Sequence, residues 1–270
     1  MIPEPGAMKK LAVLGYPVAH SRSPAMQNAA LAELGLAEGW SYEAIEVAPD
    51  RFEPLVRAMA AEGFAGANVT VPHKEAALAV ADELSEVARE IGAANTLSFA
   101  SGEIRAANTD AQGLLDALPS SPRGAAALVL GAGGAARAVV WALLREGAVV
   151  GVWNRTELRS RNLCEELGGQ PVAVPDPSAY ELIVNSTAVG LHREDPFDEL
   201  PLGAGDFAAG QTVVDMVYGD KQTRLLAAAQ AAGATVVDGI DVLARQGALS
   251  LQIWTGHEPP LETMRAAARP

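Results

Sequence analysis

Cysteine is almost absent from this chain of 270 residues. Its one cysteine, Cys164, excludes an internal disulfide framework and is typical of a protein that works in a reducing cytoplasm. The residue lies in "RNLCEELG", a pattern typical of an amphipathic helix. We therefore interpret Cys164 as a packed thiol and not as a catalytic nucleophile.

Long apolar runs and an excess of positive charge are also lacking. No apolar stretch approaches the roughly 18 residues that a membrane helix requires, so we expect no membrane partner. The net charge of −13 argues against a nucleic-acid partner, because phosphate binding needs a basic surface. The first ten residues lack the apolar core of a signal peptide, and Met8 is a candidate alternative start. We expect a soluble cytoplasmic protein.

Histidine is sparse, with four residues in the chain. His20, His192 and His257 do not have the spacing of metal ligands, so we expect no metal site. His73 could donate a proton, but we interpret it as a packed or solvent-facing imidazole.

Strand-like and helix-like segments alternate along most of the chain, a pattern typical of mainly parallel α/β sheets. A Pro/Ser/Gly-rich break at residues 119–124 is the best linker candidate, and we predict an α/β lobe on each side of it. Before the break we predict strands at 10–15, 41–47 and 66–71, helices at 23–35 (capped by Ser23), 50–63 and 74–84, and a hairpin over 94–109 that turns at Ser101-Gly102. After it we predict strands at 125–131, 148–154, 181–187, 212–218 and 234–239, and helices at 133–147, 157–168, 223–233, 241–256 and 261–270.

A glycine-rich turn joins a predicted strand to a predicted helix in "LVLGAGGAARA", residues 128–138. Gly131, Gly133 and Ala136 occupy the three positions of the G-x-G-x-x-G/A dinucleotide-binding pattern. Free N–H groups at the start of the helix would bind phosphate. A turn without a ligand is the alternative, but a second strand ends about 20 residues later, as a dinucleotide fold requires.

Two arginines follow that second strand. Arg155 lies where many dinucleotide-binding folds place an acidic residue that binds the adenosine ribose. An arginine there fits a 2′-phosphate, which favours NADP over NAD. Arg159 could bind the same phosphate from the other side, and Thr156 can cap the helix and donate a hydroxyl group. Solvated surface charge is the alternative interpretation of both arginines.

Polar residues follow strand ends in the first lobe as well. Lys74 stands at a strand-to-helix junction in "NVTVPHK", and Asp110 stands between the hairpin and a helix. Ligands of open α/β sheets bind at the carboxyl ends of strands, so these residues suit a polyhydroxylated substrate, together with Asn68, Thr70, Asn95 and Thr96. The alternatives are a helix N-cap for Asp110 and a solvated lysine for Lys74, although the helix dipole disfavours a cation there.

Nine segments together match one known family in order and spacing. They are "GYPVAHSRSP" (15–24), "NVTVPHK" (68–74), "GAANT" (92–96), "NTD" (108–110), "GAGGAARA" (131–138), "NRT" (154–156), "NSTAVG" (185–190), "DMVY" (215–218) and "ARQGA" (244–248). The chain resembles shikimate dehydrogenase over essentially its whole length. The resemblance implies a reversible, NADP-dependent reduction of 3-dehydroshikimate to shikimate, a step in the synthesis of chorismate and the aromatic amino acids.

The resemblance also implies an organisation and a set of site residues. Residues 1–110 and 240–270 would form a shikimate-binding domain, to which the last helices return, and residues 111–239 a Rossmann-like NADP-binding domain. Lys74 and Asp110 match the catalytic pair of the family. The substrate-binding positions are Ser21, Ser23, Asn68, Thr70, Asn95, Tyr218 and Gln246. The cofactor-binding positions are Gly131, Ala132, Gly133, Gly134, Ala135, Asn154, Arg155, Thr156, Arg159, Thr187, Met216 and Gly239. A homodimer is a candidate assembly.

Two positions depart from the family pattern. The family often has an apolar residue where this chain has His73, and methionine where it has Val242, which could change the packing near the nicotinamide. Three alternatives stay open on the sequence. They are a quinate/shikimate dehydrogenase of broader specificity, which commonly prefers NAD, a non-catalytic NADP- or shikimate-sensing relative, and a folate-type dehydrogenase of similar two-lobe shape.

Overall fold

The computed structural model describes residues 8–191 and 195–269, and these divide into two compact units. The first unit contains residues 8–109 and 244–269, and the second contains residues 110–243. His192 and the segment before Met8 lie outside the described residues. Both units are α/β, which confirms the predicted fold class.

The linker predicted at residues 119–124 is wrong. This segment lies inside the second unit, between its first helix and its first strand. Leu114 is fully buried in the core of the second unit, so the chain changes units before that helix. Proline, serine and glycine mark a turn here and not a domain boundary.

The first unit is built on a six-stranded sheet whose order is β2-β1-β3-β5-β6-β4. Its elements are β1 (Lys9–Gly15), α1 (Ser23–Glu33), β2 (Trp40–Glu46), α2 (Phe52–Ala61), β3 (Phe64–Val69), α3 (Lys74–Val80), β4 (Glu83–Leu84), α4 (Glu86–Ile91), β5 (Thr96–Ala100) and β6 (Glu103–Ala107). Strands β1, β2 and β3 are parallel, whereas β5 runs antiparallel to both β3 and β6. The predicted hairpin is present, with positive φ angles at Ser101 and Gly102.

The chain order reverses at β1, which has β2 on one side and β3 on the other. The loops that follow β1 and β3 therefore run side by side, at the place where α/β sheets bind ligands. Two hydrogen bonds join them, from Thr70 N to Leu14 O (2.8 Å) and from Tyr16 N to Val71 O (3.0 Å). A Cβ atom at Gly15 would lie 2.5 Å from Thr70 Cγ2, so this close approach requires glycine.

The second unit contains a parallel six-stranded sheet with the order β12-β11-β10-β7-β8-β9. Its elements are α5 (Asp110–Ala117), β7 (Ala126–Leu130), α6 (Gly134–Arg145), β8 (Val149–Trp153), α7 (Glu157–Leu167), β9 (Gln170–Pro171), β10 (Leu182–Asn185), α8 (Pro196–Glu199), β11 (Thr212–Asp215), α9 (Arg224–Ala231) and β12 (Thr235–Val237). Residues 127–130 of β7 are fully buried, as expected for a central parallel strand with helices on both faces. This strand order is that of a Rossmann fold, and it reverses between β7 and β10.

Two last helices follow, α10 (Gly239–Thr255) and α11 (Leu261–Ala268). From Ala244 onward they belong to the first unit, where α11 packs on α1. Trp254 Nε1 donates a hydrogen bond to Leu97 O (2.9 Å) directly over Gly66, where a Cβ atom would lie 2.2 Å from Trp254 Nε1. The predicted return of the C-terminal helices is therefore confirmed. Within the described ranges, no helix has the length and apolar character needed to cross a membrane.

Three local predictions differ from the structure. Ser23 is the first residue of α1 and not its N-cap; Arg22 holds that position, and its side chain makes no cap hydrogen bond. The helix predicted over 74–84 ends at Val80, because Asp82 hydrogen bonds to Ile104 through both its N–H and its carboxylate. Helix α4 was not predicted, although Ser85 Oγ caps it by accepting from Ala88 N (3.1 Å).

Candidate functional site

Three predicted substrate-binding residues, Asn68, Asn95 and Gln246, belong to one buried hydrogen-bond cluster in the first unit. Asn68 Nδ2 donates to Ser250 Oγ (2.9 Å) and to Asn95 O (3.1 Å), while Asn68 Oδ1 accepts from the Tyr42 hydroxyl (2.8 Å). Asn95 Nδ2 lies 3.1 Å from Gln246 Oε1. The cluster thus connects β3, the turn before β5, and α10.

Ser250 is the centre of this cluster, and the sequence did not single it out. Its Oγ lies 2.8 Å from Thr96 Oγ1 and 3.1 Å from Thr109 Oγ1, and it donates to Gln246 O at 3.0 Å. Tyr42 and Thr109 also escaped prediction. One signal was present, because Ser250 follows Gln246 by four residues and so lies on the same face of a helix.

Lys74 begins α3 and is only 9% exposed. Its backbone oxygen accepts a hydrogen bond from Ala94 N (2.9 Å), which holds the start of α3 against the turn before Asn95. The alternative of a solvated surface lysine is therefore wrong. A lysine buried to this degree in a protein needs polar or charged partners.

His73 is a packed residue. Its Nε2 lies 2.8 Å from Val47 O, and its ring stacks on Phe52 with 4.5 Å between the ring centroids. Burial lowers the pKa of His73, an effect that the hydrogen bond to the Val47 carbonyl only partly opposes. The neutral imidazole then donates to that carbonyl, so the alternative that His73 supplies a proton is not favoured.

The two serines after β1 are held close together. Ser23 is buried, Ser21 is half-buried, and Ser21 Oγ accepts a hydrogen bond from Ser23 N (3.3 Å). Ser21 thus holds the first N–H of α1 from the loop that precedes the helix. Thr70 follows β3 in the adjacent loop, where its N–H donates to Leu14 O.

Asp110 and Tyr218 belong to the second unit. Asp110 is the first residue of α5 and is buried. It directly follows Thr109, whose N–H donates to Asn95 Oδ1 (2.8 Å). Tyr218 is half-buried and lies three residues after β11.

The glycine-rich turn lies where the order of the second sheet reverses. Gly131 follows β7 with a φ of +113°, and its N–H donates to Trp153 O (2.8 Å). A Cβ atom there would lie 2.9 Å from the hydroxyl of Ser186, so the turn is packed against the end of β10. Gly133 is the N-cap of α6, and no side chain caps the helix from that position. The first N–H groups of α6, which include those of Gly134 and Ala135, are the ones a helix leaves unpaired.

A cavity of about 280 Å³ opens beside the ends of β8 and β10 in the second unit. Its lining residues are Trp153, Asn154, Arg155, Thr187, Ala188, Val189 and Glu199. Asn154 Nδ2 donates to Thr156 O (2.9 Å) and so fixes the turn that carries Arg155. Thr156 holds the predicted N-cap position of α7, but its side chain makes no cap hydrogen bond.

A second polar network joins the ends of β10 and β11. Asn185 Oδ1 accepts from Thr187 Oγ1 (2.7 Å), and Asn185 Nδ2 donates to Asp215 Oδ1 (2.9 Å). Asp215 Oδ2 accepts from Thr223 Oγ1 (2.7 Å), and Val217 N donates to Asp215 Oδ1 (3.1 Å). Burial raises the pKa of Asp215 to about 6, although these hydrogen bonds act to lower it.

The other predicted cofactor positions border this network. A Cβ atom at Gly239 would lie 2.7 Å from Met216 O and 2.9 Å from Asp215 O, so α10 starts against the end of β11. Val242 lies in the core of the second unit, against which Met216 packs. Cys164 is buried in the same core, and burial raises the pKa of its thiol.

These features of the second unit fit NADP. A Cβ atom at Gly133 would have no neighbour within 4 Å, so the helix start leaves open space for a pyrophosphate. Arg155 supplies positive charge on the wall of the cavity, at the strand end where a dinucleotide fold holds the adenosine ribose. Arg159 lies in the first turn of α7. In the described part of the chain, no group of three or more histidine, cysteine or acidic side chains is arranged to hold a metal ion.

Comparison with known proteins places these features in a family. Residues 13–97 match the family model "Shikimate dehydrogenase substrate binding domain", and residues 239–269 match "Shikimate 5′-dehydrogenase C-terminal domain". The protein named shikimate dehydrogenase (NADP(+)) in Methanopyrus kandleri is 45% identical over 94% of this chain and 93% of its own. The chain belongs to the shikimate dehydrogenase family.

Solved structures of the shikimate dehydrogenase family have the same fold as this chain. The Aquifex aeolicus enzyme has a TM-score of 0.91 at 36% identity, over 97% of this chain and 98% of its own. The Thermus thermophilus enzyme, solved in complex with NADP(H) and shikimate, has a TM-score of 0.88 at 43% identity, with the same coverage.

The contribution of the buried hydrogen-bond cluster to stability can be tested by isosteric substitution. Thr96→Val should lower the free energy of unfolding by about 1 to 3 kcal/mol, because it leaves buried polar partners unpaired. Thr255 is the control, since its half-buried hydroxyl contacts only backbone at the end of its own helix, donating to Leu251 O and accepting from His257 N. Urea unfolding of both variants provides the measurement. A loss in Thr96→Val no larger than in Thr255→Val would contradict the central role of the cluster.

Asp215 gives the protein a pH dependence with a defined sign. Its pKa in the folded state, about 6, lies above the usual 3.8, so the unfolded chain releases the proton first as pH rises. The folded state therefore loses stability through Asp215 as pH rises from about 4 to about 6. Relative to Asp215→Asn, the wild type should lose on the order of 1 kcal/mol between about pH 5 and about pH 7.5 in urea unfolding.

Asp176 is the control for that measurement. It is exposed, and hydrogen bonds from the Ser178 side chain and backbone lower its pKa. Asp176 therefore stays ionised over the same window, and the difference in stability between Asp176→Asn and the wild type should not change with pH there. Parallel pH profiles for wild type and Asp215→Asn would show that Asp215 does not titrate there.

Proposed function

We propose that the protein catalyses the reversible, NADP-dependent reduction of 3-dehydroshikimate to shikimate. The observation that carries the proposal is the buried Lys74, whose backbone is hydrogen bonded to the turn that leads into Asn95 and the buried hydrogen-bond cluster. That segment is also the one that the substrate-binding family model covers. A carboxylated polyol needs many fixed hydrogen-bonding groups and one proton donor, and the first unit has both.

Each unit has its own role in this proposal. The first unit, residues 8–109 and 244–269, binds shikimate, and the second unit, residues 110–243, binds NADP. Ser21 and Ser23 bind the substrate carboxylate with hydroxyl groups. Asn68, Thr70, Asn95 and Gln246 bind the ring hydroxyls, and Tyr218 contributes from the second unit. Because the cluster already holds the Asn68 and Asn95 amides in place, little side-chain entropy is lost on binding.

Lys74 acts as the acid and the base. The bound coenzyme supplies or accepts the hydride. Protonated Lys74 Nζ donates to the carbonyl oxygen of the substrate as negative charge develops there, and the neutral amine accepts the proton in the direction of oxidation. The ammonium also stabilises the developing charge electrostatically. Asp110 orients the lysine and shares in the hydrogen bonds of the substrate hydroxyl.

The coenzyme site selects NADP by charge. The N-terminus of α6 and the turn from Gly131 to Gly133 bind the pyrophosphate. Arg155 and Arg159 bind the adenosine 2′-phosphate, with Asn154 and Thr156 beside them. Thr187, Met216 and Gly239 complete the binding surface at the ends of β10 and β11. A quinate-using, NAD-preferring enzyme would have no use for two cations at this place.

Location and assembly are also proposals. The buried, free thiol of Cys164 supports the cytoplasm as the place of work. The net charge of −13 supports a small-molecule enzyme with no nucleic-acid partner. We propose a homodimer on the family resemblance alone, and sedimentation equilibrium tests it.

Coenzyme and substrate preference test the function directly. The purified protein should reduce NADP⁺ with shikimate, and do so with a higher kcat/KM than with NAD⁺ or with quinate. The measurement is NADPH absorbance with the two substrates and the two coenzymes in parallel. Equal or better use of NAD⁺ would contradict the role of the arginines. Binding of both ligands without turnover would identify a sensing protein.

Replacement of Lys74 tests the proton transfer. Lys74→Ala should lower kcat by about 10² to 10⁴-fold, because positioned proton transfer contributes that much, while the KM for shikimate changes comparatively little. Lys10→Ala is the control, since Lys10 lies near the amino end of β1, away from the carboxyl ends that bind ligands. Near-normal turnover of Lys74→Ala would rule out the role.

A further inference from the structure

Arg155 is already paired with an anion of the protein itself. Its Nη1 lies 3.0 Å from Glu199 Oε2, and both side chains line the cavity at the ends of β8 and β10. Arg155 is 80% exposed and Glu199 is 38% exposed, so solvent and ligand reach the pair. Arg159, four residues on, has no ion pair within residues 8–191 and 195–269.

The fold fixes the position of Glu199 beside Arg155. Glu199 ends α8 and is followed by Leu200, which is buried in a core cluster of the second unit. At the other end of α8, Asp195 Oδ1 accepts from Phe197 N (3.2 Å) and Asp195 Oδ2 pairs with Arg224 (2.9 Å). The backbone is therefore held in place on both sides of Glu199. This fixes the Glu199 carboxylate next to Arg155.

Two anions compete for one guanidinium when the coenzyme binds. A phosphate monoester carries about −1.5 to −2 charges at neutral pH and binds arginine through charge-assisted hydrogen bonds. To bind Arg155 it must displace the Glu199 carboxylate or share the arginine with it. An adenosine ribose without a 2′-phosphate does not enter this competition.

We propose that Glu199 is a specificity-determining residue of the coenzyme site, whose carboxylate competes with the adenosine 2′-phosphate for Arg155 and so limits the preference for NADP over NAD. The inference rests on the proposed function, since it assumes that Arg155 binds the 2′-phosphate. Glu199 touches no group that both coenzymes share in this scheme. Removal of the carboxylate should therefore change the affinity for NADP and leave the affinity for NAD unchanged.

Nucleotide fragments test the proposal without turnover. Adenosine 2′,5′-bisphosphate and 5′-AMP differ only in the 2′-phosphate, and isothermal titration calorimetry measures the Kd of each. Glu199→Gln should lower the Kd of the bisphosphate by about 1.5- to 5-fold, which is the range that exposed ion pairs contribute. The Kd of 5′-AMP should stay unchanged. The KM for NADP⁺ should fall by the same factor, with kcat and the KM for NAD⁺ unchanged.

Asp198→Asn is the matched control. It removes the same charge from the same helix, and Asp198 is exposed and does not line the cavity. At physiological ionic strength it should leave the Kd of both nucleotides within error of wild type, because an exposed charge that does not line the cavity interacts only weakly through water. If Asp198→Asn increased the affinity for the bisphosphate as much as Glu199→Gln, the cause would be the change in net charge, and the proposal would be overturned.

A double-mutant cycle tests whether Arg155 mediates the effect. In an Arg155→Gln background, Glu199→Gln should no longer change the Kd of the bisphosphate. The proposal is overturned if the gain persists there, if both nucleotides gain equally, or if neither gains. If the wild type turns over NADP⁺ and Glu199→Gln still has no effect, only this inference fails. If the wild type neither turns over nor binds the bisphosphate, the proposed function fails with it.

Discussion

The first unit depends on the hydrogen bonds of one buried amide, the side chain of Asn68. Burial removes water, so each polar group of an asparagine in this position must find its partner within the protein. The partners come from Tyr42 in β2, the backbone of Asn95, and Ser250 in α10. One side chain therefore fixes the relative positions of two strands, a turn and a helix, and the groups that bind substrate inherit that rigidity.

In the second unit an ionisable side chain, that of Asp215, likewise holds neighbouring segments together through buried hydrogen bonds. Asn185 and Asp215 end neighbouring parallel strands, and their hydrogen bond holds together the loops that carry Thr187 and Met216. A carboxylate buried at this place costs stability at neutral pH, since burial raises its pKa. The same carboxylate accepts hydrogen bonds from Asn185, Val217 and Thr223, and these hold the two loops together. The binding edges of both sheets thus depend on polar groups that water does not reach.

The sequence predicted what depends on local pattern. The glycine turn at Gly131 and the arginine at the end of β8 could be found because strand, turn and helix follow each other in the chain. Contacts between distant residues could not be found, since Asn68 and Ser250 are 182 residues apart and Arg155 and Glu199 are 44 apart. Ser23 shows a third case, in which the pattern located the start of the helix but misplaced the N-cap by one residue, since Arg22 holds that position.

The first unit is discontinuous in the chain, and this has a consequence for synthesis on the ribosome. The second unit, residues 110–243, is complete before residues 244–269 have been translated. Until then the nascent first unit lacks Ser250 and the Trp254 indole that covers Gly66. The first unit can therefore complete its buried cluster only after the end of the chain has left the ribosome, although its N-terminal strands emerge first.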